Sequence, residues 1–144
     1  GGHNKENKEM SEQQKILSRE DILGAKDTTR ELVDMNKFGW GGFVYVQGMT
    51  GLQRGLHEND MLETNVDDPR VNKARFRASI LVYCIVDREG NQLFREQDVD
   101  ALNEKNAAAL DYLYDKAAKL SGYRPADIEE ITKNSPSGQE GGSS

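Results

Sequence analysis

The segment from Asp68 to Val86 constrains the fold of this chain more than any other. Asp68-Pro69 has the chemistry of a helix start, because the Asp carboxylate accepts from free backbone amides and Pro presets φ at the first helical position. From Arg70 to Val86 neither Gly nor Pro interrupts the chain, and the segment ends in the apolar run Ile80-Leu-Val-Tyr-Cys-Ile-Val86. Seven residues fall far short of the about 20 that a membrane-crossing helix needs, so this run is expected inside a protein core. A helix is the preferred reading because the run continues a longer unbroken segment. A buried strand stays open for residues 79–86, since periodicity does not separate the two in a short apolar run.

The remaining elements are read from caps, strand patterns and apolar stripes. Ser18 with Glu20 and Asp21 starts a short helical turn whose apolar side is Ile16, Leu17, Ile22 and Leu23, with Gly24 near its end. Glu31 to Met35 and Gly42 to Gln47 read as two strands paired as a hairpin across the Gly- and aromatic-rich segment Asn36 to Gly41. Thr50 and Gln53 have capping-box spacing ahead of a helix to about Leu62, weakened by Gly55. Asp87 to Asn91 is a turn, and Asp98 is placed as the cap of a short helix through Leu102. Asn106 to Leu120 is the best amphipathic helix, with Leu110, Leu113, Tyr114, Ala117 and Leu120 on one stripe and Ser121-Gly122 as its stop. A last helix is expected near Pro125, carrying Ile128 and Ile131. The expected fold class is α+β, a mostly helical single domain with one β-hairpin near the N-terminal third.

With 144 residues, 35% of them apolar, one small core is the ceiling. The domain is drawn over residues 16–133, between a polar segment 1–15 that opens on what looks like a cloning remnant and a polar tail over 134–144; both ends are expected to be disordered. No secretory signal is legible, and a cytoplasmic protein without a membrane span is expected. Lys and Arg number 19 against 25 Asp and Glu, a net charge of −6, which disfavours nucleic acid as the main partner. One cysteine, Cys84, excludes an internal disulfide and a cysteine-based zinc cage.

No catalytic or metal-binding constellation emerges. Asp87 to Asp98 superficially matches a calcium loop, but the sharp-turn glycine belongs at position six, which is Gln92, whereas Gly90 stands at position four. Gly48 to Gly55 lacks the Gly-Lys-Ser/Thr ending of a phosphate loop, so the glycines at 39, 41, 42, 48, 51 and 55 are read as turn residues. Cys84 lies within the most apolar run and is read as buried packing rather than as a nucleophile. His57 is the only histidine outside the N-terminal remnant, too few for a histidine metal site. Asp67 and Asp68 are explained by capping beside Pro69. The chain is therefore expected to be no enzyme, with no cofactor and no metal.

Two features point to a partner surface. Arg70, Lys73 and Arg77 fall at helical spacing on one face with Arg75 nearby; a solvated face paired to carboxylates and a docking stripe are both open. Phe38, Trp40, Phe43 and Tyr45 gather four of the ten aromatic residues within eight positions. Phe43 and Tyr45 share one strand face and Val44 and Val46 the other, so one pair is expected to pack inward. For Phe38 and Trp40 in the loop, folding back onto the core and contacting a partner weigh equally.

The order of segments carries further information. Ile-Leu-Gly-Ala-Lys-Asp27, Glu-Leu-Val-Asp34, Trp40-Gly-Gly42, Val-Tyr-Val46, Met-Thr-Gly-Leu-Gln-Arg54, Cys-Ile-Val-Asp87, Gly-Asn-Gln-Leu-Phe94, Asp98-Val-Asp-Ala-Leu102, Asn106-Ala-Ala-Ala-Leu-Asp111 and Lys133-Asn-Ser135 follow one another as in the tail assembly chaperones of long-tailed bacteriophages and related prophages, which the chain resembles over about Ile16 to Ser135. It departs from the family pattern at Asn36-Lys-Phe-Gly39, where Pro and an acidic residue commonly precede Trp-Gly, and at Gly55, where an acidic residue is frequent. The resemblance implies a non-enzymatic protein of the host cytoplasm that binds the tape-measure protein, keeps it soluble, and helps recruit tail-tube subunits before leaving the particle. A minor structural subunit of the tail or head–tail joint is the alternative, and the oligomeric state is left open.

Overall fold

The computed structural model describes residues 14–124 together with Asp127 and Glu129. Among these, five α-helices and a three-stranded antiparallel sheet alternate as α1 (Arg19–Gly24), β1 (Arg30–Asp34), β2 (Phe43–Gln47), α2 (Gly51–Glu63), α3 (Pro69–Cys84), β3 (Ile85–Val86), α4 (Val99–Leu102) and α5 (Ala107–Leu120). The strand order is β1-β2-β3. This is the mixed, mostly helical α+β architecture read from the sequence. The tails drawn at 1–15 and 134–144 lie outside the described residues except for Gln14 and Lys15, as do Ile128 and Ile131 of the last expected helix.

Local chemistry sets the helix starts. Ser18 and Asp21 exchange side-chain to backbone bonds in a capping box, and Thr50 and Gln53 do the same at the head of α2. Asp68 accepts from the Arg70 amide at 2.9 Å with Pro69 at the first helical position. Asn106 accepts from the Ala109 amide at 3.0 Å, so α5 begins one residue after it. Each such cap is worth about 1 kcal/mol.

The apolar run resolves into both readings that were open. The helix ends at Cys84; Ile85 turns extended, and Ile85 and Val86 pair with Val46 and Tyr45. Two β-branched residues fit a pleated edge better than a helix end, and the Asp87 turn behind them returns the chain so that Gln92 bridges to Val86. The hairpin thus gains a third strand, and the preferred helix to Val86 is corrected over its last two residues. Asp98 stands at the N-cap of α4, as read, but its side chain does not bond an α4 amide: the carboxylate accepts from the Arg95 amide at 2.7 Å and closes a 3-10 turn over residues 96–98.

The core lies between the inner sheet face and the central helix α3, which packs against α2, α4 and α5. Val33, Val46, Phe76, Ile80, Cys84 and Leu113 are at most 2% exposed within it. Val44 and Val46 are the inward pair of β2, so Phe43 and Tyr45 face outward. The glycines divide by role. Gly39 and Gly41 have φ of 79° and 72°, the turn geometry expected of them. Gly48 differs: a Cβ there would sit 2.3 Å from the Leu120 carbonyl oxygen, so it permits the end of β2 to touch the last turn of α5. Gly51 and Gly55 lie inside α2.

Candidate functional site

The hairpin tip is shaped by its backbone. Asn36–Phe38 forms one 3-10 turn, closed by the left-handed Gly39, while the Met35 amide donates to the Gly42 carbonyl at 2.9 Å. This turn lays Phe38 on Tyr112 of α5, with ring centroids 5.5 Å apart. Lys37 holds its ammonium 3.9 Å from the Tyr112 centroid, and Lys116 approaches the same ring. Trp40, like Phe38, is half-buried and packed against the core.

The basic residues fare differently from one another. Arg70 pairs with Asp68 at 2.9 Å within its own cap, and Arg77 reaches Asp111 on α5 at 2.7 Å. Lys73 is exposed and forms no ion pair among the described residues. Arg75 leaves the stripe and lines a small hollow with Asp60, Glu96 and Asp100. Phe38 and Arg77 therefore meet neighbouring residues of α5, Tyr112 and Asp111, whereas Arg70 stays at the head of α3.

Exposed apolar side chains lie on other elements. The side chains of α1 and its approach do not pack down: Ile16 is 88% exposed, and Leu17, Ile22 and Leu23 are also exposed. On the outer sheet face Leu32 stands opposite the half-buried Tyr45, with the exposed Phe43 at the same face. Leu52 and Leu56 add an exposed pair one turn apart on α2. Their i, i+4 spacing was a sequence signal for this patch, and the outward position of Phe43 follows once Val44 is assigned inward.

The histidine and the cysteine are enclosed. His57 is fully buried against Phe76, Tyr83 and Tyr123, its Nδ1 2.8 Å from the Ser79 hydroxyl. Burial, with the nearby Arg54 charge, lowers its pKa to about 4, so the ring is neutral at pH 7. Cys84 is equally buried, and desolvation pushes its thiol up to about 11, which suppresses the thiolate needed for attack. Asp87 accepts from the amides of Glu89 and Asn91 at 2.8 and 2.9 Å, which ties its oxygens to the turn. No group of three or more His, Cys, Asp or Glu able to hold a metal ion occurs among the described residues, and no helix there is long and apolar enough to cross a membrane.

Comparison with known proteins adds to this geometry. A solved structure described as "Structure of bacteriophage HK97 tail assembly chaperone" superposes with a TM-score of 0.53 at 15% identity, covering 69% of this chain and 92% of that one, which is a likeness of fold. No curated protein matches the sequence. The family model for phage tail assembly chaperones matches residues 9–134, nearly the whole length, and the chain accordingly belongs to the phage tail assembly chaperone family.

Proposed function

We propose that the protein works by holding other tail proteins rather than by catalysis: it binds the tape-measure protein, keeps that long chain soluble, and helps recruit tail-tube subunits in the cytoplasm of the bacterial host before leaving the particle. The observation that supports this most directly is the exposed apolar surface of α1, the outer sheet face and α2 on a member of the tail assembly chaperone family. A holding protein needs apolar side chains open to a client, and this chain leaves them exposed on three of its elements. In this reading Phe38 and Trp40 hold the shape of the hairpin tip and contribute to the client surface, while Arg70, Lys73 and Arg77 supply positive charge along α3.

Co-expression with the tape-measure protein and the tail-tube protein, followed by capture on the tagged chain and by analysis of purified particles, tests the reading. Capture of the tape-measure protein together with absence from finished particles is expected. Failure to capture either protein, with the chain retained in particles, would replace the chaperone by a structural subunit of the tail or head–tail joint.

A further inference from the structure

We infer that the groove between α3 and α5 docks an acidic helical segment of a partner protein, which inserts an aliphatic side chain there. The inference rests on the chaperone reading and names the chemistry of the client. The groove has a volume of about 200 Å³, and its apolar lining comes from Ala74 and Ala78 of α3 and Ala107 and Leu110 of α5. Three of these four side chains end at Cβ, which is why the space remains between two packed helices. A cavity of about 150 Å³ already admits a benzene-sized group, so a leucine or isoleucine side chain enters without rearrangement.

The rim selects the sign of what surrounds that side chain. Arg77, Lys105 and Asp111 line the groove, and the one carboxylate among them is engaged by Arg77 at 2.7 Å. Lys105 is exposed and, like Lys73 one turn from Arg77, forms no ion pair among the described residues. The first turn of α5 adds the positive end of its helix dipole at Ala107. In a chain of net charge −6, this mouth carries an excess of positive charge beside an apolar slot. Nucleic acid would meet the charge and leave the slot empty; an apolar helix without acids would fill the slot and leave the charge unmet. An amphipathic helix with Glu or Asp flanking a Leu meets both, as in helix-in-groove recognition.

The test uses two synthetic helices of about 20 residues, long enough to be helical, with Leu one turn apart and flanked by Glu in one and by Lys in the other. Each is titrated into the isotope-labelled full chain and followed by amide chemical shifts. The Glu helix is expected to move Ala74, Ala78, Ala107 and Leu110 and to bind at least about tenfold more tightly than the Lys helix. Ala107→Leu, which fills the slot from an exposed position, and Lys105→Glu should each weaken binding about tenfold while retaining the wild-type spectrum elsewhere. Equal affinity for the two helices, no shifts at the groove, or undiminished binding by both variants overturns the proposal. So does a change of oligomeric state in Ala107→Leu without any peptide binding, which assigns the groove to a second copy. Because the peptides stand apart from the tail proteins, a chain that captures the tape-measure protein yet ignores the Glu helix refutes the groove and leaves the chaperone reading intact.

Discussion

Replacing Gly48 by Ala places a methyl group where the structure has a backbone. The added Cβ would lie 2.3 Å from the Leu120 carbonyl oxygen and 2.9 Å from its carbon, against the 3.4 Å at which ordinary contact begins. The obstacle is main chain at the end of a 14-residue helix, so β2 and α5 must separate by roughly 1 Å. Overpacking of this kind costs about 1–3 kcal/mol. The separation also pulls on the bond from the Met49 amide to the buried Ser121 hydroxyl, 3.0 Å long, whose loss adds about 1 kcal/mol. A total of about 2–4 kcal/mol is a large share of the about 5–15 kcal/mol that holds a small domain together, and it should lower Tm by roughly 10 °C. Thermal unfolding followed by circular dichroism measures it. Gly55→Ala is the internal control: it lies within α2 with open space around its Cβ, and should stabilise by about 1 kcal/mol. A Gly48→Ala melting temperature within about 2 °C of wild type would refute the steric argument.

Three further outcomes concern side chains packed in or against the core. Because the folded pKa of His57 is lowered from 6.5 to about 4, the unfolded chain binds the extra proton between those values; stability is complete above pH 6.5 and falls by about 3 kcal/mol as pH drops toward 4, which a denaturant midpoint at pH 7 and at pH 4.5 would register, and an unchanged midpoint would contradict. Cys84→Ala should cost about 1 kcal/mol and leave client capture intact, and rapid labelling of the native thiol by a maleimide would speak against its burial. Trp40→Ala should lower stability by about 2–3 kcal/mol; measured alongside capture of the tape-measure protein, an undiminished melting temperature would show that the ring does not support the core.

Legibility in the sequence followed the range of the interactions. Ser18, Thr50 and Asp68-Pro69 were readable because a cap is settled within three residues, whereas Asn106, read as the first residue of its helix, turns out to be its cap. Ile85 and Val86 were not, since their extended form depends on β2, about forty positions earlier in the chain. Asp98 was legible as the residue ahead of α4 but not as the partner of the Arg95 amide, because two helical starts overlap there. Gly48 looked like any turn glycine, while its reason is the carbonyl of Leu120. Among the candidate site residues, the spacing of Arg70, Lys73 and Arg77 was legible but their partners were not, because Asp111 belongs to another helix. The apolar side of α1 was visible as a pattern; periodicity does not tell whether anything covers it.

The seam that joins residues 48–58 to residues 120–123 has a consequence for synthesis. Met49 binds Ser121, Arg54 reaches the Ser121 carbonyl, and the Tyr123 hydroxyl donates to Glu58. The first of these links spans 72 residues, which at about 5–20 residues per second is roughly 4–14 s of translation. During that interval β2 and α2 exist without these three bonds, although α3 and β3 are already available to them. The end of α5 therefore supplies the last partners of the seam, and Met49, Arg54 and Glu58 make these bonds only once Ser121 and Tyr123 have been added.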